Sequence, residues 1–154
     1  MRLTRPGARA TCSTAKRYRE GMPRTVVNKW ETLPIEAEYD TFGKPTDPAL
    51  LLIMGFGAQM VAWDAEFAQM LADRGLFVIR FDNRDCGLTT KLDGVEVDAG
   101  AVVAAALTEQ PLPPVPYTLS DMAADALGLL DHLGIAKAHI MGASRSEEHT
   151  SELQ

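Results

Sequence analysis

Ser144 stands behind Gly142 and Ala143, at the end of the short run KAHIM over 137–141. A serine that leaves a buried strand behind small residues can occupy a strained turn. Its hydroxyl is then lifted above the sheet, and the next amide can help to stabilise an oxyanion. That arrangement suits acyl transfer to a serine oxygen. A Gly-x-Ser triplet is common, so the weight falls on its place in the chain. Gly55-Phe56-Gly57 closes a second apolar run, ALLLIM over 49–54. Glycines there allow a tight turn that directs an amide outward, where it can donate to developing negative charge. A third loop, DNRDCGLT over 82–89, comes after the apolar run LFVIRF over 76–81. Its Asp82 and Arg84 are expected to form supporting ion pairs rather than to react.

Activating the serine needs a base, and the chain has three histidines. His132, near the end of a helical stretch, and His139, inside the last apolar run, both precede Ser144. Each is expected to be a packing or hydrogen-bonding residue. His149 falls in the closing ten residues. Met54, Met60, Met70 and Trp63 could line an acyl pocket, although core packing is the expectation for each. Metal-ligand spacing, a Walker-type phosphate loop and a dinucleotide fingerprint are not seen, so no cofactor is expected.

The elements that would position these loops alternate. Residues 25–30 and 35–39 read as an opening hairpin. FGKPTDP over 42–48 is turn chemistry. The apolar run over 49–54 suits a strand buried on both faces. Residues 63–74 carry Trp63, Phe67, Met70 and Leu71 at helical spacing, with Gly75 as C-cap. After the strand over 76–81, residues 99–107 could form one short helix. Pro111, Pro113, Pro114 and Pro116 prevent regular structure beyond it, and 89–118 is expected to lie irregularly over a sheet edge. Residues 121–133 then place Met122, Ala126, Leu129, Leu130 and Leu133 on one stripe, with Ser120 as N-cap and Gly134 as C-cap. Strand and helix alternation predicts an α/β fold, a mostly parallel sheet flanked by helices.

The runs MGFGAQMVAW, RFDNRDCG, SDMAADALGLLDHLGI and KAHIMGAS, taken together, resemble the α/β-hydrolase superfamily. The resemblance lies in the serine-esterase branch that holds aclacinomycin methylesterase-like enzymes, and it covers about residues 25–144. It implies the N-terminal half of that fold, incomplete at its C-terminus. It implies Ser144 as nucleophile, Phe56 as one oxyanion-hole amide, the residue after the serine as the other, and a small-molecule ester as substrate. Asp82 and Arg84 match a supportive loop motif. The family's elbow is Gly-x-Ser-x-Gly, whereas position 146 here is Ser. The family's acid and histidine come after the serine, and only ten residues do so here. A serine at the elbow argues against the epoxide-hydrolase and dehalogenase branches, which carry Asp there. C–C bond hydrolases, peptidases and cofactor-free peroxidases share the layout. A truncated, non-catalytic protein with a binding role is the alternative to an enzyme.

Both ends depart from this pattern. Residues 145–154, RSEEHTSELQ, match throughout one translation frame of a read-through adapter used in short-read sequencing libraries, and are expected not to belong to the protein. Residues 1–22 form a basic leader with few large apolar residues, expected to be disordered and to reflect an over-extended gene model whose real start is Met22. A mitochondrial transit peptide is the other reading. The 154 residues suffice for one domain, 46% hydrophobic and 23% charged. Net charge is -6 despite the basic leader, so the body is strongly acidic and nucleic-acid binding is not expected. No apolar run reaches the roughly 18 residues of a membrane span. Two cysteines, Cys12 and Cys86, make no disulfide framework, so a reducing, cytoplasmic setting is expected.

Overall fold

The computed structural model describes residues 21–144. In chain order it contains β1 (Arg24–Trp30), β2 (Leu33–Phe42), β3 (Ala49–Ile53), a 3-10 turn (Met60–Ala62), α1 (Ala65–Ala72), β4 (Phe77–Phe81), α2 (Ala99–Leu107), α3 (Leu119–His132) and β5 (Ala138–Gly142). The leader before residue 21 and the closing ten residues, His149 among them, lie outside the described residues.

The strands form one sheet in the order β1-β2-β4-β3-β5. β3 runs parallel to both β4 and β5. β2 is antiparallel to β4 and to β1, so the sheet is mixed, with its parallel half around β3. Parallel neighbours bring the carboxyl ends of β3, β4 and β5 to one edge. The loops leaving those ends therefore sit side by side, with the β3 loop in the middle.

Both faces of β3 and β4 are covered mainly by apolar side chains, as a strand run without polar alternation requires. Leu51, Ile79 and Phe81 pack on one face with Ala126, Leu129 and Leu130 of α3. Leu50, Leu52 and Val78 pack on the other with Ala68 and Ala72 of α1. Helix α3 lies so close to β1 that a methyl group on Gly128 would come 1.9 Å from the Val27 carbonyl oxygen.

Several sequence expectations change in detail. The N-cap of α3 is Thr118, two residues before Ser120. Thr118 and Asp121 form a reciprocal capping box, in which the Thr118 amide donates to Asp121 Oδ2 at 2.7 Å. The hydroxyl and amide of Thr118 hold the Asp121 carboxyl below its usual range. Met60 is fully buried, but Met70 is 52% exposed: on α1 it is the two alanines that face the sheet. Helix α2 spans the expected residues yet buries none of them. The proline-rich stretch after it is tied to edge strand β1, where Trp30 Nε1 donates to the Pro116 carbonyl at 2.7 Å. The C-caps are Asp73 and Leu133, and the expected C-cap glycines, Gly75 and Gly134, come after them with φ of 85° and 69°. Among the described residues no helix is long and apolar enough to cross a membrane.

Candidate active site

Ser144 lies just past β5 at the carboxyl edge of the sheet and is exposed. Its φ is 71°, in the left-handed region that an L-residue occupies at a cost of about 1–2 kcal/mol. β5 pairs with β3 up to Ile53 and Gly142, and the Ala143 amide then donates to the Ile53 carbonyl at 3.1 Å. That last bond carries the register past the strand end and brings Ser144 beside Gly55. A methyl group placed on Gly55 would lie 2.7 Å from Ser144 Cβ and 3.2 Å from its Oγ. Glycine at 55 is thus a requirement of this approach, not only of a turn.

Beyond Gly55 the chain turns over Phe56 and Gly57. The Ala58 amide reaches back towards the Gly55 carbonyl at 3.4 Å, and Gly57 adopts a φ of 68°. The Phe56 side chain is 83% exposed. The expected serine and the expected glycine-bounded amide therefore share one edge, on adjacent strands.

The loop over 82–90 braces this turn from the other side. Asp82 is buried and accepts from the Met60 amide at 2.7 Å and from the Leu88 amide at 3.0 Å. Both of these bonds hold backbone amides, one in the 3-10 turn and one in its own loop. Asn83 Nδ2 donates to the Met54 carbonyl at 2.9 Å, and Cys86 Sγ to the Ala58 carbonyl at 3.2 Å. Arg84 behaves as expected, in a bidentate pair with Asp125 of α3 at 2.6 Å for each bond. Burial works against the Arg84 charge, but the Asp125 hydrogen bond and charge outweigh it and raise the guanidinium pKa. Arg84 also lies 5.4 Å from the centre of the Tyr117 ring.

A second buried pair lies where sequence reading saw only strand. Arg80 of β4 faces Asp40 of β2 across the ladder and bonds it twice, at 2.7 and 2.6 Å. Arg80 also donates to the Trp63 carbonyl, at the end of the 3-10 turn that succeeds the Gly55–Ala58 loop. A lone arginine within the apolar run FVIRF was the available signal. For Asp125 the signal was an acid on the apolar stripe of α3, three residues after Met122 and four before Leu129.

Of the two described histidines, His132 is engaged with β1 and β2. His132 Nδ1 lies 3.1 Å from Thr25 Oγ1, its Nε2 lies 3.5 Å from the Tyr39 hydroxyl, and its ring meets that of Tyr39 edge-on. His139 is exposed on edge strand β5. Trp63 stacks on Phe67 at 5.9 Å against the α1 side of the core.

No family model matches the chain. It is 33% identical over 123 residues to rhodomycin D methylesterase DauP of Streptomyces sp. (strain C5), a match that covers 80% of this chain and 34% of that protein. It is 36% identical over 102 residues to rhodomycin D methylesterase DnrP of Streptomyces peucetius, covering 66% of this chain and 28% of that one. The chain thus spans about a third of the length of the curated relatives it matches. Among solved structures it is similar to the enol-lactonase from Burkholderia xenovorans LB400. The TM-score is 0.57 at 26% identity, over 79% of this chain and 37% of that one. With its mixed sheet, its helix on each face and these relatives, the chain belongs to the α/β-hydrolase superfamily and carries part of that fold.

Proposed function

We propose that the full-length protein hydrolyses a small-molecule carboxylic ester by acyl transfer to Ser144. The observation that carries this reading is the serine's backbone: a non-glycine residue at φ 71°, exposed at the carboxyl end of β5 and against the bare backbone of Gly55. Strain of this kind at an exposed hydroxyl is characteristic of a nucleophile held above a sheet.

In this reading Ser144 Oγ attacks the ester carbonyl carbon and gives up its proton to a histidine base. The carbonyl π electrons move onto oxygen, where the Phe56 amide and the amide after Ser144 donate to the oxyanion. Collapse expels the alcohol, which takes the proton from the histidine. Water then attacks the acyl-serine by the same route, releasing the acid and restoring the hydroxyl. The two curated relatives are named methylesterases, which supports a methyl ester as the substrate class and methanol as the leaving alcohol.

The histidine and its acidic partner are proposed to lie beyond Ser144 in the full-length protein. Residues 145–154 are then adapter read-through, residues 1–22 a leader or mis-assigned start, and residues 23–144 part of the hydrolase domain. The 154-residue chain lacks the base and should not turn over. Sequencing the source genomic DNA past codon 144 tests this. An open frame that soon encodes glycine, and later an acid and then a histidine, is expected. A stop codon directly after codon 154 would contradict it and favour a short, non-catalytic binding protein.

A further inference from the structure

We propose that Asn83 and Cys86 are positioning residues that clamp the backbone on both sides of Phe56 and so set the direction of its amide. The proposal rests on the reading of that amide as an oxyanion donor.

Gly55-Phe56-Gly57 is a poor conformer by itself. Glycine explores more backbone space than any other residue, and two of them flank the one amide that must be aimed. The 3.4 Å contact from the Ala58 amide to the Gly55 carbonyl is long for a hydrogen bond. Two side chains of the β4 loop bind the backbone on either side of it. Asn83 Nδ2 fixes the Met54 carbonyl, and with it the Met54–Gly55 peptide plane. Only the NH2 end of that amide can donate to a carbonyl, which settles its orientation. Cys86 Sγ fixes the Ala58 carbonyl, and with it the Ala58–Gln59 plane. These two bonds hold the peptide planes that flank Phe56 and Gly57. Asp82 adds a third point at the Met60 amide.

The clamp is itself rigid. Thr89 Oγ1 donates to the Asp82 carbonyl at 2.8 Å and accepts from the Glu38 amide of β2 at 3.1 Å. The Cys86 amide donates to the Asn83 carbonyl at 3.1 Å, which locks the two clamp residues to each other. The β4 loop is thus a stiff bracket and the β3 loop the compliant piece it holds, an arrangement that aims a donor before substrate arrives.

The test uses backbone 15N relaxation on the 154-residue chain and on its Asn83→Ala, Cys86→Ala and Cys86→Ser variants. In the parent chain, order parameters at Phe56 and Gly57 should be about 0.85, the value of rigid backbone, and in Asn83→Ala and Cys86→Ala they should drop to about 0.6 or less. Leu51 and Ile79 should not change. Cys86→Ser keeps a donor and should preserve the parent values. Low order at Phe56 in the parent chain would overturn the proposal without any variant, as would rigid loops in both alanine variants or equal loss in Cys86→Ser. In the full-length enzyme, Cys86→Ala should lower kcat by roughly fivefold, the worth of about one modest hydrogen bond, with KM unchanged. The relaxation outcome is independent of whether Ser144 reacts. A rigid turn together with a Ser144 that is unreactive in the full-length protein would therefore refute the esterase reading and leave the clamp standing.

Discussion

Gly55 and Ser144 compete for one volume: the position of a Cβ on Gly55 lies 2.7 Å from Ser144 Cβ and 2.7 Å from the Ala143 carbonyl oxygen. The middle strand's loop can serve as neighbour to the serine only while position 55 has no side chain. Gly55→Ala should therefore force the β5 turn away from the β3 loop. The expected cost is about 1–3 kcal/mol, typical of overpacking, measured by urea denaturation of the chain. In the full-length enzyme the same variant should lose activity while still binding ester.

The left-handed backbone at Ser144 gives a second expectation. Ser144→Gly removes the Cβ that makes φ 71° costly, whereas Ser144→Ala retains it. Glycine at 144 should leave the chain about 1 kcal/mol more stable than alanine does. Equal stabilities would mean that the turn is not strained.

Arg84 and Asp125 join the loop after β4 to α3, with side chains 1% and 3% exposed. Removing one partner leaves the other charge buried and unpaired. Asp125→Ala should cost about 3–5 kcal/mol, and Arg84→Met with Asp125→Leu considerably less. Denaturation midpoints of the single and double variants check this ordering.

Glu38 gives a pH dependence. Burial raises its carboxyl pKa, opposed by the Arg24 charge and assisted by that of Asp82. The native state therefore holds this proton more tightly than the unfolded chain does. Stability is greatest below the ordinary value of 4.5 and declines as pH rises through the raised native value. The Arg24 contact, at 3.5 Å with the arginine side chain 44% exposed, offsets little of this. Glu38→Gln should raise the melting temperature at pH 7 and change it little at pH 4. A lower melting temperature at pH 7 would show that the Arg24 pair dominates.

Local pattern was the legible part of the sequence. The apolar runs at 49–54 and 76–81 became β3 and β4, because a strand buried on both faces shows as unbroken hydrophobicity. Glycines past helix ends and the order of elements were equally plain. Less legible were pairings between distant residues. Arg80 with Asp40 and Arg84 with Asp125 are 40 and 41 residues apart; Asp125 stands on the apolar stripe of α3, but nothing local names its partner, and nothing local marks Asp40 as buried. Met70 was misplaced because the stripe reading of α1 favoured large residues, whereas the helix approaches the sheet through Ala68 and Ala72. In the candidate site, Ser144 and the Gly55–Gly57 turn could be marked from their place after strands. The contribution of Asn83 and Cys86 could not, since a side chain that binds another loop's carbonyl leaves no periodic trace.

In the proposed reading, Ser144 is an acyl-accepting nucleophile whose base lies later in the full-length protein. Fluorophosphonate labelling with peptide mass spectrometry, on the 154-residue chain and on the full-length protein side by side, tests it most directly. Adduct on Ser144 of the full-length protein and none on the 154-residue chain is the expected result. Full-length protein without adduct at Ser144, or steady ester turnover by the 154-residue chain that disappears in Ser144→Ala, would overturn that role for Ser144.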